Sequence, residues 1–198
     1  LLSPYLTHTV LNKNLSIWTG LVLFGVISTM LGIALMPGVE IGMVPVVYLF
    51  NITVLAYLAL EDARRRIIPN RVVIPATICG FALSPWGIHV QEQELIRTLL
   101  MAALGWAFCV VWMTMAAYLS RGRLGGGDIK LAGLVGAITG MPFAPAALGV
   151  GIMISGVYAL IMVGSRSRRI FDEIPYGPGL SIGGCVLMLY IWICLVVK

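Results

Sequence analysis

Arg121-Gly122-Arg123-Leu124-Gly125-Gly126-Gly127-Asp128-Ile129-Lys130 is a basic, glycine-rich, acid-bearing stretch with apolar runs on both sides. Nowhere else in the chain do three consecutive glycines meet an acidic residue. An apolar chain that pauses in this way and then resumes reads as membrane helices joined by a polar turn at one face. Glycine lets backbone adopt conformations closed to other residues and approach a neighbour or ligand closely. A carboxylate at the mouth of a membrane helix is costly, which gives Asp128 a functional reading beside the plainer one of helix N-cap. The remainder of the chain decides between them.

Composition sets the class. Of 198 residues, 60% are hydrophobic and only 11% charged, whereas soluble domains carry about 25% charge. The fold class that follows is all-α: a polytopic integral membrane protein of about six to seven transmembrane helices, with residues 1–198 forming a single domain. The net charge of +5 does not indicate nucleic acid, because the basic residues gather at the ends of apolar runs, where they set membrane orientation. Cys79, Cys109, Cys185 and Cys194 lie inside apolar runs without a C-x-x-C pair and read as packed thiols. His8 and His89 are too isolated to suggest a metal site. No cleavable signal peptide is read in residues 1–14, where no basic region leads into a short apolar core.

Outward from the glycine stretch, the spans are Leu15–Met36, Met43–Leu60, Val72–Ile88 and Leu95–Leu119 before it, then Ile129–Gly140, Phe143–Gly164 and Leu180–Val197 after it. Ile129–Gly140 is short, and charge placement decides whether it crosses or dips. If it crosses, every one of the 13 basic residues except Arg97 and Lys198 shares one face. If it dips, Arg166, Arg168 and Arg169 move to the other face. The positive-inside pattern therefore favours seven spans, with the N-terminus cytoplasmic and the C-terminus outside, and the expected location is the inner (cytoplasmic) membrane, multi-pass. Small residues at four-residue spacing (Ala132, Gly136, Gly140, and again Ala147, Gly151, Ser155) suit close helix packing.

This topology puts Asp62, at the end of the second span, on the same cytoplasmic face as Asp128, at the start of the fifth. Glu40, Glu92 and Glu94 fall outside, and Asp172 and Glu173 read as solvated charge in a basic, turn-rich loop. Two carboxylates on one face suit aspartic proteolysis, in which an ionised acid deprotonates water while a protonated one polarises the scissile carbonyl. Asp128 stands where a helix N-terminus favours an anion and Asp62 where a C-terminus disfavours one, which points to Asp128 as the base and Asp62 as the acid. Lys130 reads more readily as an interfacial anchor than as a catalytic group.

Three blocks in order carry a family resemblance. Asp62-Ala-Arg-Arg-Arg-Ile-Ile-Pro69-Asn70 resembles the prepilin peptidase pattern of an aspartate seven residues before a proline. Gly125-Gly126-Gly127-Asp128-Ile129-Lys130 resembles that family's Gly-x-Gly-Asp-x-Lys block, with Gly125 and Gly127 as its glycines. Pro175-Tyr176-Gly177-Pro178 is similar to its later Pro-[Phe/Tyr]-Gly-Pro segment. The resemblance implies a membrane aspartic endopeptidase that removes the basic leader from type IV prepilins or pseudopilins at the cytoplasmic face. Asp62 and Asp128 would be catalytic and Gly125, Gly127, Lys130, Pro69 and Gly177 would support substrate and loop, with no metal or cofactor. The implied partners are the precursor substrate and the lipid bilayer, without nucleic acid, and the oligomeric state is not indicated. Many bacterial members also carry a cytoplasmic insert with two C-x-x-C pairs and methylate the new N-terminus. This sequence lacks those cysteines, which puts methyl transfer in doubt.

Two other enzyme classes fit less well. Asp62-Ala63-Arg64 faintly resembles the phospholipid head-group transferase block, but the further aspartate pair does not follow. Presenilin-like proteases share Gly-x-Gly-Asp, but their Pro-Ala-Leu segment is absent. The alternative of a different kind is a transporter or a pilus or secretion assembly scaffold that cuts no peptide bond.

Overall fold

The computed structural model describes residues 44–87, 95–120, 124–164 and 176–196. The chain forms two compact units, Leu1–Thr53 and Val54–Lys198. Among the described residues the regular structure is six helices: α1 (Val44–Arg65), α2 (Asn70–Gly87), α3 (Leu95–Leu119), α4 (Gly126–Thr139), α5 (Ala144–Gly164) and α6 (Gly177–Val196). Four of them, α1, α3, α5 and α6, are long and apolar enough to cross a membrane. Their outer faces carry large apolar side chains such as Ile96 (75% exposed) and Leu160 (74% exposed), a surface suited to lipid. The chain is thus an all-helical, polytopic membrane protein. The expected span Leu15–Met36 lies outside the described residues.

Of the first unit, residues 44–53 are the opening of α1, where Thr53 Oγ1 donates to the Leu49 carbonyl at 2.7 Å. The second unit carries the remaining helices. The sequence reading closed the second span at Leu60, but α1 runs on through Glu61–Arg65. Polar side chains do not end a helix whose backbone bonds continue. Arg65 Nε reaches Glu61 Oε1 at 3.1 Å one turn back, and Arg64 and Arg65 complement the C-terminal dipole. The helix stops at Arg66, whose φ of 53° is left-handed and whose N–H still bonds the Asp62 carbonyl at 2.8 Å. In α2, Pro85 removes the N–H that the Phe81 carbonyl would otherwise receive. Ser84 Oγ donates to that carbonyl instead, at 2.8 Å.

The central helix is α4. Every residue from Leu131 to Gly140 is buried, and the helix packs against α2, α3, α5 and α6. At 14 residues it is about 21 Å long, shorter than a hydrocarbon core of about 30 Å. Its C-terminal end lies buried within protein, where the Gly140 N–H bonds the Gly136 carbonyl at 2.9 Å. It runs antiparallel to α3, with Gly136 against Gly105 and the Met141 N–H on the Met101 carbonyl at 3.0 Å. The α5–α6 pair is likewise antiparallel, Gly183 resting on Ala147 and Gly151 while Gly179 meets Ser155. Since α6 begins beside Asp62, α4 carries the chain away from the aspartate end and α5 brings it back. Ile129–Gly140 thus runs through the bundle rather than dipping into it.

At the α3–α4 crossing the two backbones touch. A Cβ on Gly136 would overlap the Gly105 carbonyl oxygen and lie 2.8 Å from the Gly105 carbonyl carbon. Backbone cannot rotate aside as a side chain can, so Gly136→Ala is expected to destabilise the protein by about 3 kcal/mol. Gly149, where an added Cβ meets nothing within 4 Å, supplies the control. Unfolding midpoints of Gly136→Ala and Gly149→Ala in the same detergent check this, and equal midpoints would contradict it.

Candidate active site

Three helix ends converge on one place. Asp62 sits in the last turn of α1, only 4% exposed. Asp128 is the third residue of α4 and half-buried. Gly177 is the first residue of α6, and its N–H donates to Asp62 Oδ2 at 3.0 Å. The Asp62 carboxylate therefore caps a helix 115 residues distant in sequence. An N-terminal helix amide is a good partner for an anion. Pro175–Pro178 reads as a turn in the sequence, but Gly177 and Pro178 open α6, and proline is tolerated in a first helical turn. A Cβ at Gly177 would fall 2.5 Å from Asp62 Oδ2. That position must be glycine for Asp62 to sit where it does.

Asp128 is not a cap. The N-cap of α4 is Gly125, in ordinary extended conformation (φ −70°, ψ 143°), and the Asp128 N–H bonds its carbonyl at 3.1 Å. Gly126 and Gly127 form the first helical turn, so the glycines are not a loop in unusual backbone conformations. The need for glycine comes from close approach. A Cβ on Gly127 would press Ile68 Cβ at 3.1 Å, whereas one on Gly126 would meet nothing within 4 Å.

Both aspartates face a cavity of about 330 Å³. One wall is Asp62, Arg66, Ile67, Ile68 and Asn70, and the other is Gly125 to Asp128 with Lys130. Burial and then the negative charge of Asp62 push the Asp128 carboxyl up to about 6, against partial relief from the Gly125 backbone amide. Asp128 stands before the apolar run of α4, at the polar end. The Lys130 Nζ donates to Asn70 Oδ1 at 2.8 Å, a specific partner that the anchor reading did not foresee. Pro69 lies just ahead of α2, and its carbonyl accepts the Val73 N–H at 3.1 Å. It shapes the wall without lining the cavity.

Of the residues singled out in sequence, Asp62, Asp128, Gly125, Gly127 and Lys130 meet around the cavity, with Gly177 behind Asp62. Arg66, Ile68 and Asn70, which the sequence motif contains but does not mark as site residues, line the cavity as well. All three lie in the polar stretch between the second and third spans, but which of its residues turn inward depends on where α1 ends.

Residues 49–160 match the family described as Type IV leader peptidase family. A Bacillus subtilis protein named prepilin leader peptidase/N-methyltransferase is 28% identical over 158 residues, covering 77% of this chain and 58% of that protein. A Pseudomonas aeruginosa protein of the same name is 25% identical, covering 67% of this chain and 45% of that protein. A Stutzerimonas stutzeri relative of that name is 23% identical, with the same coverage. The chain thus spans about half the length of the curated relatives it matches. No solved structure matches it significantly.

Proposed function

The chain belongs to the type IV leader peptidase family, and from that premise we propose that it is a membrane aspartic endopeptidase that removes the basic leader from type IV prepilins or pseudopilins. The observation that carries the reading is the meeting of Asp62 and Asp128, from separate helices, around one cavity. The proposal covers the peptidase step alone. The relatives' second named activity, N-methyl transfer, lies outside it.

Two acids in one cavity divide their labour by environment. Burial disfavours the Asp62 anion, the Gly177 N–H and the nearby Arg66 offset part of that cost, and the charge on Asp62 helps Asp128 keep its proton. This supports Asp62 as the base and Asp128 as the acid, the reverse of the allocation drawn from helix ends in sequence. Asp62 takes a proton from a water in the cavity as that water attacks the scissile carbonyl. Asp128 donates a hydrogen bond to the carbonyl oxygen as negative charge grows there. The proton then passes to the departing amide nitrogen, and the C–N bond breaks. Arg64, Arg65, Arg71 and Lys130 gather at this end of the described helices while Arg97 lies at the start of α3, at the other. That supports a cytoplasmic site in the inner membrane and a cytoplasmic N-terminus.

The test is cleavage in reconstituted vesicles of a type IV prepilin carrying its leader. Cleavage at the leader junction supports the proposal. If wild-type protein cuts none of several prepilins offered, the transporter or scaffold reading replaces it. The pH profile gives a second test, because the active form holds one proton between two carboxylates. That proton resides on Asp128, raised to about 6, so it is lost as pH rises through that value. Above it, kcat/KM is expected to fall about tenfold per pH unit. A profile flat from pH 5 to pH 9 would contradict the shared proton.

A further inference from the structure

The two cavity walls come from distant parts of the chain, and they touch in two ways. One is apolar, Gly127 closing on the buried Ile68, and it has little directional preference. The other is the Lys130 Nζ–Asn70 Oδ1 hydrogen bond at 2.8 Å between residues 60 apart in sequence, which fixes both distance and direction. We propose that Lys130 and Asn70 form a positioning clamp that sets the separation of the two carboxylates by tying the start of α4 to the start of α2.

The clamp rests on the aspartic-peptidase reading and deepens it by assigning two positioning residues. Each end of the bond is rigidly linked to one aspartate. Lys130 and Asp128 share the first turns of α4. On the other side the connection from Asp62 to Asn70 is short and pinned at both ends, by the Arg66 N–H on the Asp62 carbonyl and the Val73 N–H on the Pro69 carbonyl. The helices α2 and α4 run side by side in the same direction, with Gly80 against Leu134 and Ile138 deeper in the bundle. Deep packing limits lateral movement but leaves the polar ends free to splay, and the clamp closes that freedom at the cavity. Lysine suits this role because its single ammonium on a long stem reaches across to one amide oxygen, whereas arginine presents a planar fork that one amide oxygen does not match. An interfacial anchor alone would turn Nζ to solvent and would not couple to Asn70.

The experiment compares Lys130→Met, Asn70→Leu, the double variant and Asn70→Asp in the full chain, by steady-state cleavage of a prepilin. Hydrogen exchange of the 66–70 and 125–130 backbone is measured on the same samples. Each single change is expected to lower kcat about tenfold with KM within about threefold, because a misplaced dyad still binds substrate. The double variant should be no slower than the slower single, since both changes break one bond. Asn70→Asp keeps an acceptor for Lys130 and should recover most of the kcat that Asn70→Leu loses. Exchange in both segments should rise together in either single variant. If the Asp62→Asn and Asp128→Asn proteins are inactive while Lys130→Met cuts at the wild-type rate, the clamp fails and the peptidase reading stands. Additive losses in the double variant also overturn it. If wild-type protein cuts nothing, the peptidase reading fails and exchange alone decides: a joint rise retains the clamp as a structural tie, and unchanged exchange removes it.

Discussion

Asp128→Asn protein is expected to lose prepilin cleavage by roughly a thousandfold or more, and yet to unfold at a higher temperature than wild type at pH 8. The two halves of this prediction come from the same environment. Asparagine fills the space of Asp128 but neither releases a proton to the leaving group nor titrates, so the chemical step loses its acid. The gain in stability follows from the raised carboxyl. Below the ordinary value of 3.8 the group is neutral folded and unfolded alike, and above about 6 it is charged in both. Between those values the native state holds a proton that the unfolded chain has released, so stability falls as pH rises through the window. At pH 8 the native protein carries a buried, partly compensated charge beside Asp62, and asparagine removes that cost. At pH 3.5 the difference should vanish. Thermal midpoints at the two pH values, read beside cleavage rates, check both statements. A variant that is inactive and less stable at pH 8 would mean that Asp128 serves folding rather than chemistry. Asp62→Asn should be inactive to a similar degree, since its amide oxygen still accepts the Gly177 N–H while the base is gone.

Much of this was visible in the chain because membrane proteins write their topology in hydropathy and charge. The α3 span Leu95–Leu119 coincides with its uninterrupted apolar run. The two ends that hydropathy misjudged are the two that build the site. Glu61–Arg65 looks like a loop because its side chains are polar, yet α1 needs only its backbone bonds to continue. Gly177-Pro178 looks like a turn because of its residue types, yet both fit the first turn of α6. The partners of the aspartates were hidden for another reason. Gly177 and Asp62 lie 115 residues apart, and no local period in one sequence encodes which distant amide a carboxylate will meet. An allocation of base and acid drawn from each aspartate's own helix leaves out the Gly177 N–H, which reaches Asp62 from a different helix.

Gly177 therefore carries the second large effect. Gly177→Ala is expected to lower kcat by roughly a hundredfold or more, because a 1 Å displacement of a reacting group costs on that order. The added Cβ would lie 2.5 Å from Asp62 Oδ2, 2.7 Å from its Cγ and 2.9 Å from its Cβ, and real Cβ contacts do not fall below 3.0 Å. All three atoms belong to one short, buried side chain, and the Asp62 Cβ is fixed by the backbone of α1, so no rotamer relieves the whole overlap. Either α6 withdraws, breaking the Gly177 N–H bond, or Asp62 turns out of the cavity. Both outcomes take the base from the water it must activate. The loss should deepen with size from alanine to serine to valine, while Gly156→Ala, where a Cβ meets nothing within 4 Å on the outer face of α5, should cut at the wild-type rate. A structural defect alone would lower the unfolding midpoint and the yield of active protein but leave kcat per active molecule unchanged. A displaced base lowers kcat in every folded molecule. Titrating active sites with a tight-binding inhibitor before measuring kcat separates the two, and a Gly177→Ala enzyme with full kcat per active site would mean that Asp62 does not work from the position the Gly177 amide gives it.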